Sequence, residues 1–239
     1  MKSLAAEGNS RKGQAMNAKL ITPLLAALIP LSAVGQGTFG NLGFESARLI
    51  YVDPPNNHTI AATNALPYWA AYSGTDQLNA IPYGLGGVIT PVRLYSESTG
   101  GGGALSGNYS VVLNFGGSAA PQPGSISQNG LVPSDAESLL FEVGMGIYSG
   151  PLTVSLGGQD LSYIAISNAP NFTLYGATIP STLVGKIATL TFAAGANGAS
   201  GLAMLDDIQF SSQPIPEPGV LALILLGSGV LLCRRRGFR

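Results

Sequence analysis

The chain has 239 residues, of which 46% are hydrophobic and only 10% charged, with 33 Gly and 16 Pro; such a chain buries a core, is not disordered, and favours turns over long helices. Residues 36–218 carry three basic side chains (Arg48, Arg93, Lys186) against eleven acidic ones, a net charge of −8, which repels phosphate backbones and excludes nucleic acid as a partner. The single Cys233 lies near the C-terminus, so the body has no disulfide, thiol nucleophile or Cys-based metal site.

The other basic residues gather at the two ends. After a second methionine, Met16, Lys19 supplies a positive n-region, Leu20 to Leu31 an apolar h-region, and Ala33-Val34-Gly35 a small-x-small cleavage pattern. Residues 1–35 therefore read as a secretory signal peptide, with Met16 an alternative start. Pro23 and Pro30 argue against a buried helix there.

From Gln36 onward no long stretch holds a 3.6-residue apolar period. Short β-rich runs recur instead at 47–52, 87–95, 109–115, 138–144, 152–158, 161–167, 171–179, 185–195 and 201–210, separated by Gly, Pro, Asn and Ser clusters. They predict an all-β body over 36–212, an antiparallel β-sandwich of roughly eight to eleven strands. In the last run, alternation predicts Met204, Asp206, Ile208 and Phe210 on one face and Leu205, Asp207 and Gln209 on the other.

Chemistry-bearing residues are sparse along these runs. His58 is the only histidine and sits in the polar, proline-bearing loop "DPPNNHT"; no Gly-x-Ser-x-Gly elbow occurs, so Ser-His-Asp hydrolysis is not expected. Glycoside hydrolysis needs only two facing carboxylates, and Glu45, Asp76, Glu97, Asp135, Glu137 and Glu142 are available, though their spacing pairs none of them. The glycines of "STGGGGALSGN" (98–108) lack the Lys-Ser/Thr and the helix of a phosphate cradle and read as a loop. Sugar binding uses aromatic faces beside amides and carboxylates. The densest such mixture is Tyr68, Trp69, Tyr72 and Tyr83 with Asp76, Gln77 and Asn79; Trp69, Tyr72 and Tyr68 are the candidate ligand-binding residues, with Trp69 also suited to the core.

Several marks in order, "GNLGFES" (40–46), "LPYW" (66–69), "GNYSVVL" (107–113), "SISQ" (125–128), "LLFEVG" (139–144) and "AMLDDIQF" (203–210), resemble secreted jelly-roll modules of the galactose-binding-like superfamily, many of which bind carbohydrate. The resemblance implies a jelly roll and offers Glu45, Asp206 and Asp207 as ligands of a structural Ca²⁺, a cation that takes six to eight hard oxygens.

The chain closes on "PIPEPGVLALILLGSGVLLCRRRGFR". Val220 to Cys233 is apolar apart from Ser228; as a helix it reaches about 21 Å against a hydrocarbon core of about 30 Å, a short membrane anchor. Arg234, Arg235 and Arg236 hold this end on the cytoplasmic side and leave the body outside. Pro216-Glu217-Pro218, the transmembrane helix over 219–233 and the Arg-rich tail together resemble the PEP-CTERM sorting signal, here spanning 213–239, with Gly219 departing from the usual Ser or Ala. The resemblance implies an exosortase as partner, transient residence in the inner membrane, and final location at the cell surface or in the extracellular matrix, with exopolysaccharide or biofilm. The expected function is that of a non-enzymatic exported protein, with a carbohydrate-binding module and a two-carboxylate glycan hydrolase as the alternatives.

Overall fold

The computed structural model describes residues 38–53, 58–84, 90–96, 103–115, 122–195 and 201–215, all within the second of the two units into which the chain divides, Gly35–Arg239. The signal peptide, the Pro216-Glu217-Pro218 motif, the 219–233 helix and Arg234–Arg236 lie outside the described residues. Among the described residues no helix is long and apolar enough to cross a membrane.

The elements run β1 (Thr59–Ala61), α1 (Ala62–Ala65), β2 (Ala70–Ser73), β3 (Asp76–Gln77), β4 (Ala80–Pro82), β5 (Val92–Ser96), β6 (Tyr109–Phe115), β7 (Gly124–Leu131), β8 (Ser138–Gly144), a 3-10 turn (Gly146–Tyr148), β9 (Leu152–Leu156), β10 (Gln159–Asp160), β11 (Tyr163–Asn168), β12 (Phe172–Thr178), β13 (Ile187–Ala194) and β14 (Gly201–Ser211). They build two six-stranded sheets, ordered β10-β9-β13-β7-β2-β3 and β11-β12-β8-β14-β6-β5, and a small ribbon β1-β4. From β6 to β9 each connection crosses from one sheet to the other, and it does so again into β11, β13 and β14. This is the antiparallel β-sandwich expected.

The inner faces meet in one core. Phe141 of β8 stacks on Tyr175 of β12 at 5.9 Å and meets Phe192 of β13, in the opposite sheet, edge-on at 5.3 Å. Leu94, Val111, Leu113, Leu205, Ile126, Val154 and Leu190 are fully enclosed around them; each such side chain contributes about 1.5–3 kcal/mol on leaving water. In β7, β9 and β13 burial alternates residue by residue, as it does where one face is wet. In β6, β8 and β14 runs of four or five successive residues are buried, because the outer face of that sheet is also covered. Leu105, Tyr148 and Leu202 pack there on Tyr95, Val112 and Met204, forming a second, smaller cluster.

Three strand expectations need correction. Residues 47–52 form no strand: only Tyr51 bridges, to Ile60, and Arg48 and Val52 make single backbone bonds, to the carbonyls of Asn64 and Thr59, that extend into no ladder. β1 to β4, β7 and β10 were not among the predicted strands, so the described strands number fourteen and not eight to eleven; in β7, Ser125, Gln128 and Asn129 dilute the apolar signal. The predicted faces of β14 hold only as far as Asp206. The register with β8 shifts between Asp206 and Gln209, and Asp207 takes φ 39; this bulge transfers Ile208 and Phe210 to the core face of Leu205, while Met204 and Asp206 stay on the outer face.

Candidate functional site

The 41–46 loop and the "LPYW" turn are tied together by Asn41. Its Nδ2 donates to the Pro67 carbonyl at 3.2 Å, its Oδ1 accepts from Ser46 N–H at 2.8 Å, and its own carbonyl accepts from the Trp69 indole N–H at 3.0 Å. Trp69 is buried and packs on Phe44 at 5.9 Å. It is a core residue and no ligand platform.

The turn itself runs Leu66-Pro67-Tyr68-Trp69, closed by Trp69 N–H to the Leu66 carbonyl at 3.0 Å. Pro67 fits the second position of such a turn, but the third needs positive φ, which glycine supplies at no steric cost. Here that position is Tyr68, at φ 74, a conformation that costs an L-residue about 1–2 kcal/mol. The strain turns the ring outward: Tyr68 is 73% exposed. One side of the ring lies over Gly40, where a Cβ would sit 3.1 Å from the ring carbon Cγ. Gly40 is in turn clamped by the buried Gln128, whose Oε1 accepts its N–H at 2.5 Å and whose Nε2 donates to its carbonyl at 2.9 Å. The ring stands on a fixed floor.

Beside it opens a pocket of about 400 Å³ lined by Ser46, Arg48, Thr63, Asn64, Pro67 and Tyr68. Helix α1 presents Thr63 and Asn64, and the Asn64 carbonyl accepts the backbone N–H of Arg48 at 2.8 Å, fixing the strand of chain that carries Arg48. Among the described residues the side chains of Ser46, Arg48, Thr63 and Asn64 make no hydrogen bond or ion pair with the protein. A cavity of about 430 Å³ on the outer face of the other sheet differs in kind. It is mostly apolar, and its polar side chains are already engaged: Tyr148 Oη with Tyr95 Oη at 3.1 Å, and Asn171 Nδ2 with the Leu105 carbonyl at 2.9 Å.

The remaining sequence candidates are spread over the molecule. Tyr72 is half-buried on the face of β2 opposite the core residue Ala71, and it does not line the pocket beside Tyr68. Tyr83 bonds Ser96 Oγ through its hydroxyl at 2.7 Å and packs on Tyr51. His58 is exposed. Asp76, Asp135 and Glu137 are exposed and separate, and Glu97 lies outside the described residues.

The three carboxylates offered to calcium are each held by protein donors. Glu45 accepts the N–H groups of Asn108 and Tyr109 at 2.8 and 3.0 Å and Asn108 Nδ2 at 2.7 Å. Gly107, at φ 60, makes this approach feasible, since a Cβ there would meet Glu45 Oε1 at 2.5 Å. Asp206 Oδ2 accepts Ser110 Oγ–H at 2.7 Å and Ser106 N–H at 3.1 Å, and its Oδ1 accepts Asp207 N–H at 2.8 Å. Asp207 accepts Gln209 Nε2 at 2.7 Å. Glu45 and Asp206 do grip the same 105–110 segment, but among the described residues no three carboxylate, His or Cys side chains converge.

Asp206 instead faces Glu142 across the β14–β8 ladder, a pairing that sequence spacing did not reveal. Both are buried, and Ser106 Oγ–H donates to Glu142 Oε2 at 2.8 Å, closing the pair over. Burial raises the Asp206 carboxyl to about 7, the hydrogen bonds from Ser110, Ser106 and Asp207 opposing and the Glu142 charge adding to the rise. Burial likewise raises Glu142. Two facing acids are what hydrolysis of a glycoside requires, but Asp206 is 1% exposed and Glu142 6%, which leaves no space for a sugar between them.

No family model matches the chain, and no curated protein matches it. Among solved structures it is similar to TmCBM61 in complex with β-1,4-galactotriose, at 13% identity and a TM-score of 0.42, over 74% of this chain and 99% of that one. It is also similar to the enzymatically active domain of tailspike protein 4 of bacteriophage CBA120, at 12% identity and a TM-score of 0.36, over 61% of this chain and 19% of that one.

Proposed function

We propose that the chain is an exported, non-enzymatic surface or matrix protein whose β-sandwich binds a polysaccharide at the Tyr68 pocket. The observation that carries this reading is Tyr68 itself: a tyrosine held at a glycine's φ and 73% exposed, beside a concave polar wall with uncommitted donors and acceptors. Backbone strain retained by a well-tied scaffold is characteristic of ligand sites. An aromatic face takes the C–H side of a sugar ring, and Asn64, Thr63 and Ser46 are placed to meet its hydroxyls. Glu142 and Asp206 take no catalytic role in this reading, because Ser106 and the strand ladder enclose them.

The terminal segments supply delivery. Residues 1–35 direct export, and the apolar segment 219–233 with Arg234–Arg236 holds the tail in the inner membrane until an exosortase acts near Pro216-Glu217-Pro218. In cells that contain an exosortase, the exported protein is expected to lose its tail and the Glu217→Ala variant to keep it; identical masses with and without the enzyme refute this half of the reading.

Affinity electrophoresis of the full chain in gels carrying galactan, dextran or alginate tests the other half. Retardation by at least one of them is expected, and Tyr68→Ala is expected to weaken it about 10-fold, the effect of truncating an aromatic anchor. Undiminished binding by Tyr68→Ala, or no retardation by any polysaccharide, refutes it.

A further inference from the structure

Arg48 is unusual in this molecule. Only Arg48, Arg93 and Lys186 are basic among the 183 residues from 36 to 218, against eleven acids, and Arg48 alone of the three lines the pocket beside Tyr68. Its backbone is fixed by the N–H bond to the Asn64 carbonyl at 2.8 Å, while its exposed guanidinium makes no hydrogen bond or ion pair among the described residues. The nearest acid in sequence, Glu45, is engaged elsewhere, its two oxygens accepting Asn108 and Tyr109.

A guanidinium is a rigid fork of N–H donors that fits a carboxylate with two parallel bonds, about twice as strong as bonds between neutral groups. A neutral sugar leaves most of those donors to water. We infer that the polysaccharide taken at the Tyr68 pocket is acidic: a sugar ring lies on Tyr68 and the carboxylate it carries is held by Arg48. This rests on the saccharide reading above and adds the class of sugar. The body's charge of −8 does not oppose it at working salt, since charges beyond about 8 Å are screened at 0.15 M ionic strength, whereas the Arg48 contact is direct.

The probe is alginate, a polyuronate, compared with the same polymer after chemical reduction of its carboxylates to alcohols, both titrated against the full chain at 0.15 M salt. Alginate is expected to bind at least about 10-fold more tightly than its reduced form. Arg48→Ala is expected to lose that preference, and Arg48→Lys to keep part of it. The melting temperature of Arg48→Ala is expected to match that of the parent, because the guanidinium is exposed. Equal binding of alginate and reduced alginate, lost together in Tyr68→Ala, overturns the acidic-sugar inference and leaves the saccharide reading standing. A preference for alginate that survives Arg48→Ala overturns the assignment to Arg48. Binding of neither polymer, nor of galactan or dextran, overturns both.

Discussion

Replacing Asp206 by Asn tests the buried acid pair. Asp206 and Glu142 face one another in register on β14 and β8, and burial lifts Asp206 from 3.8 to about 7. Below about pH 4 the folded and unfolded chains both hold this proton, so the group contributes no difference. Between about pH 4 and pH 7 the folded carboxyl keeps its proton while the unfolded one releases it, and stability falls as pH rises; above pH 7 the loss is complete. At about 1.4 kcal/mol per pH unit the loss amounts to about 4 kcal/mol. Glu142, also raised by burial and by the charge of Asp207, acts in the same direction.

For a chain of this size the loss corresponds to a fall in melting temperature of about 10 °C from pH 4 to pH 8. Relief of the body's net negative charge on acidification has the same sign, so the variant is needed to isolate Asp206. Asn keeps an acceptor for the Ser110 hydroxyl and the Ser106 N–H and cannot titrate. Its absolute stability depends on how its amide meets Asp207 N–H, but its slope against pH does not. The assay is urea unfolding of both proteins from pH 4 to pH 9. The Asn variant is expected to lose most of the pH dependence; equal slopes in the two proteins, or a parent stability that rises from pH 5 to pH 8, would refute the reasoning.

Tyr68→Gly is expected to be about 1 kcal/mol more stable than Tyr68→Ala, because both lack the ring and only the alanine retains the strain at φ 74; equal unfolding midpoints would show the turn to be relaxed. Millimolar Ca²⁺ is expected to leave the melting temperature of the protein within a degree or so of its EDTA value, since Glu45, Asp206 and Asp207 already accept protein donors. A rise of several degrees would show that a cation displaces them.

What the sequence revealed and what it hid follow from where each residue's information lies. β8 was legible to the residue, because Leu139, Phe141 and Val143 point to the core in strict alternation and a strand pattern needs no more than that. The run 47–52 has the same kind of composition and stays a loop, since a strand also needs a ladder to join and only Tyr51 forms a bridge. The facing of Glu142 and Asp206 is a matter of register between segments 64 positions apart, to which no local pattern is sensitive. The bulge that moves Ile208 inward depends on a single backbone angle at Asp207, a residue type that tolerates positive φ without requiring it. The Tyr68 site lies between these cases. Its aromatic cluster stood out in composition, yet the cluster divides: Trp69 goes to the core and Tyr68 outward, one residue apart, because the turn reverses the chain between them. Pro67 followed by a residue that must adopt positive φ was the signal for that turn, and a tyrosine in place of the glycine was the signal that the turn is kept for something other than stability. Arg48 appeared only in the charge count. Its meaning came from the pocket, where a cation in an acidic body makes no ion pair among the described residues and stands beside the strained ring. A residue that costs stability and a charge left unpaired are hard to account for separately by folding; placed together on one pocket wall, they are accounted for by a ligand that meets both.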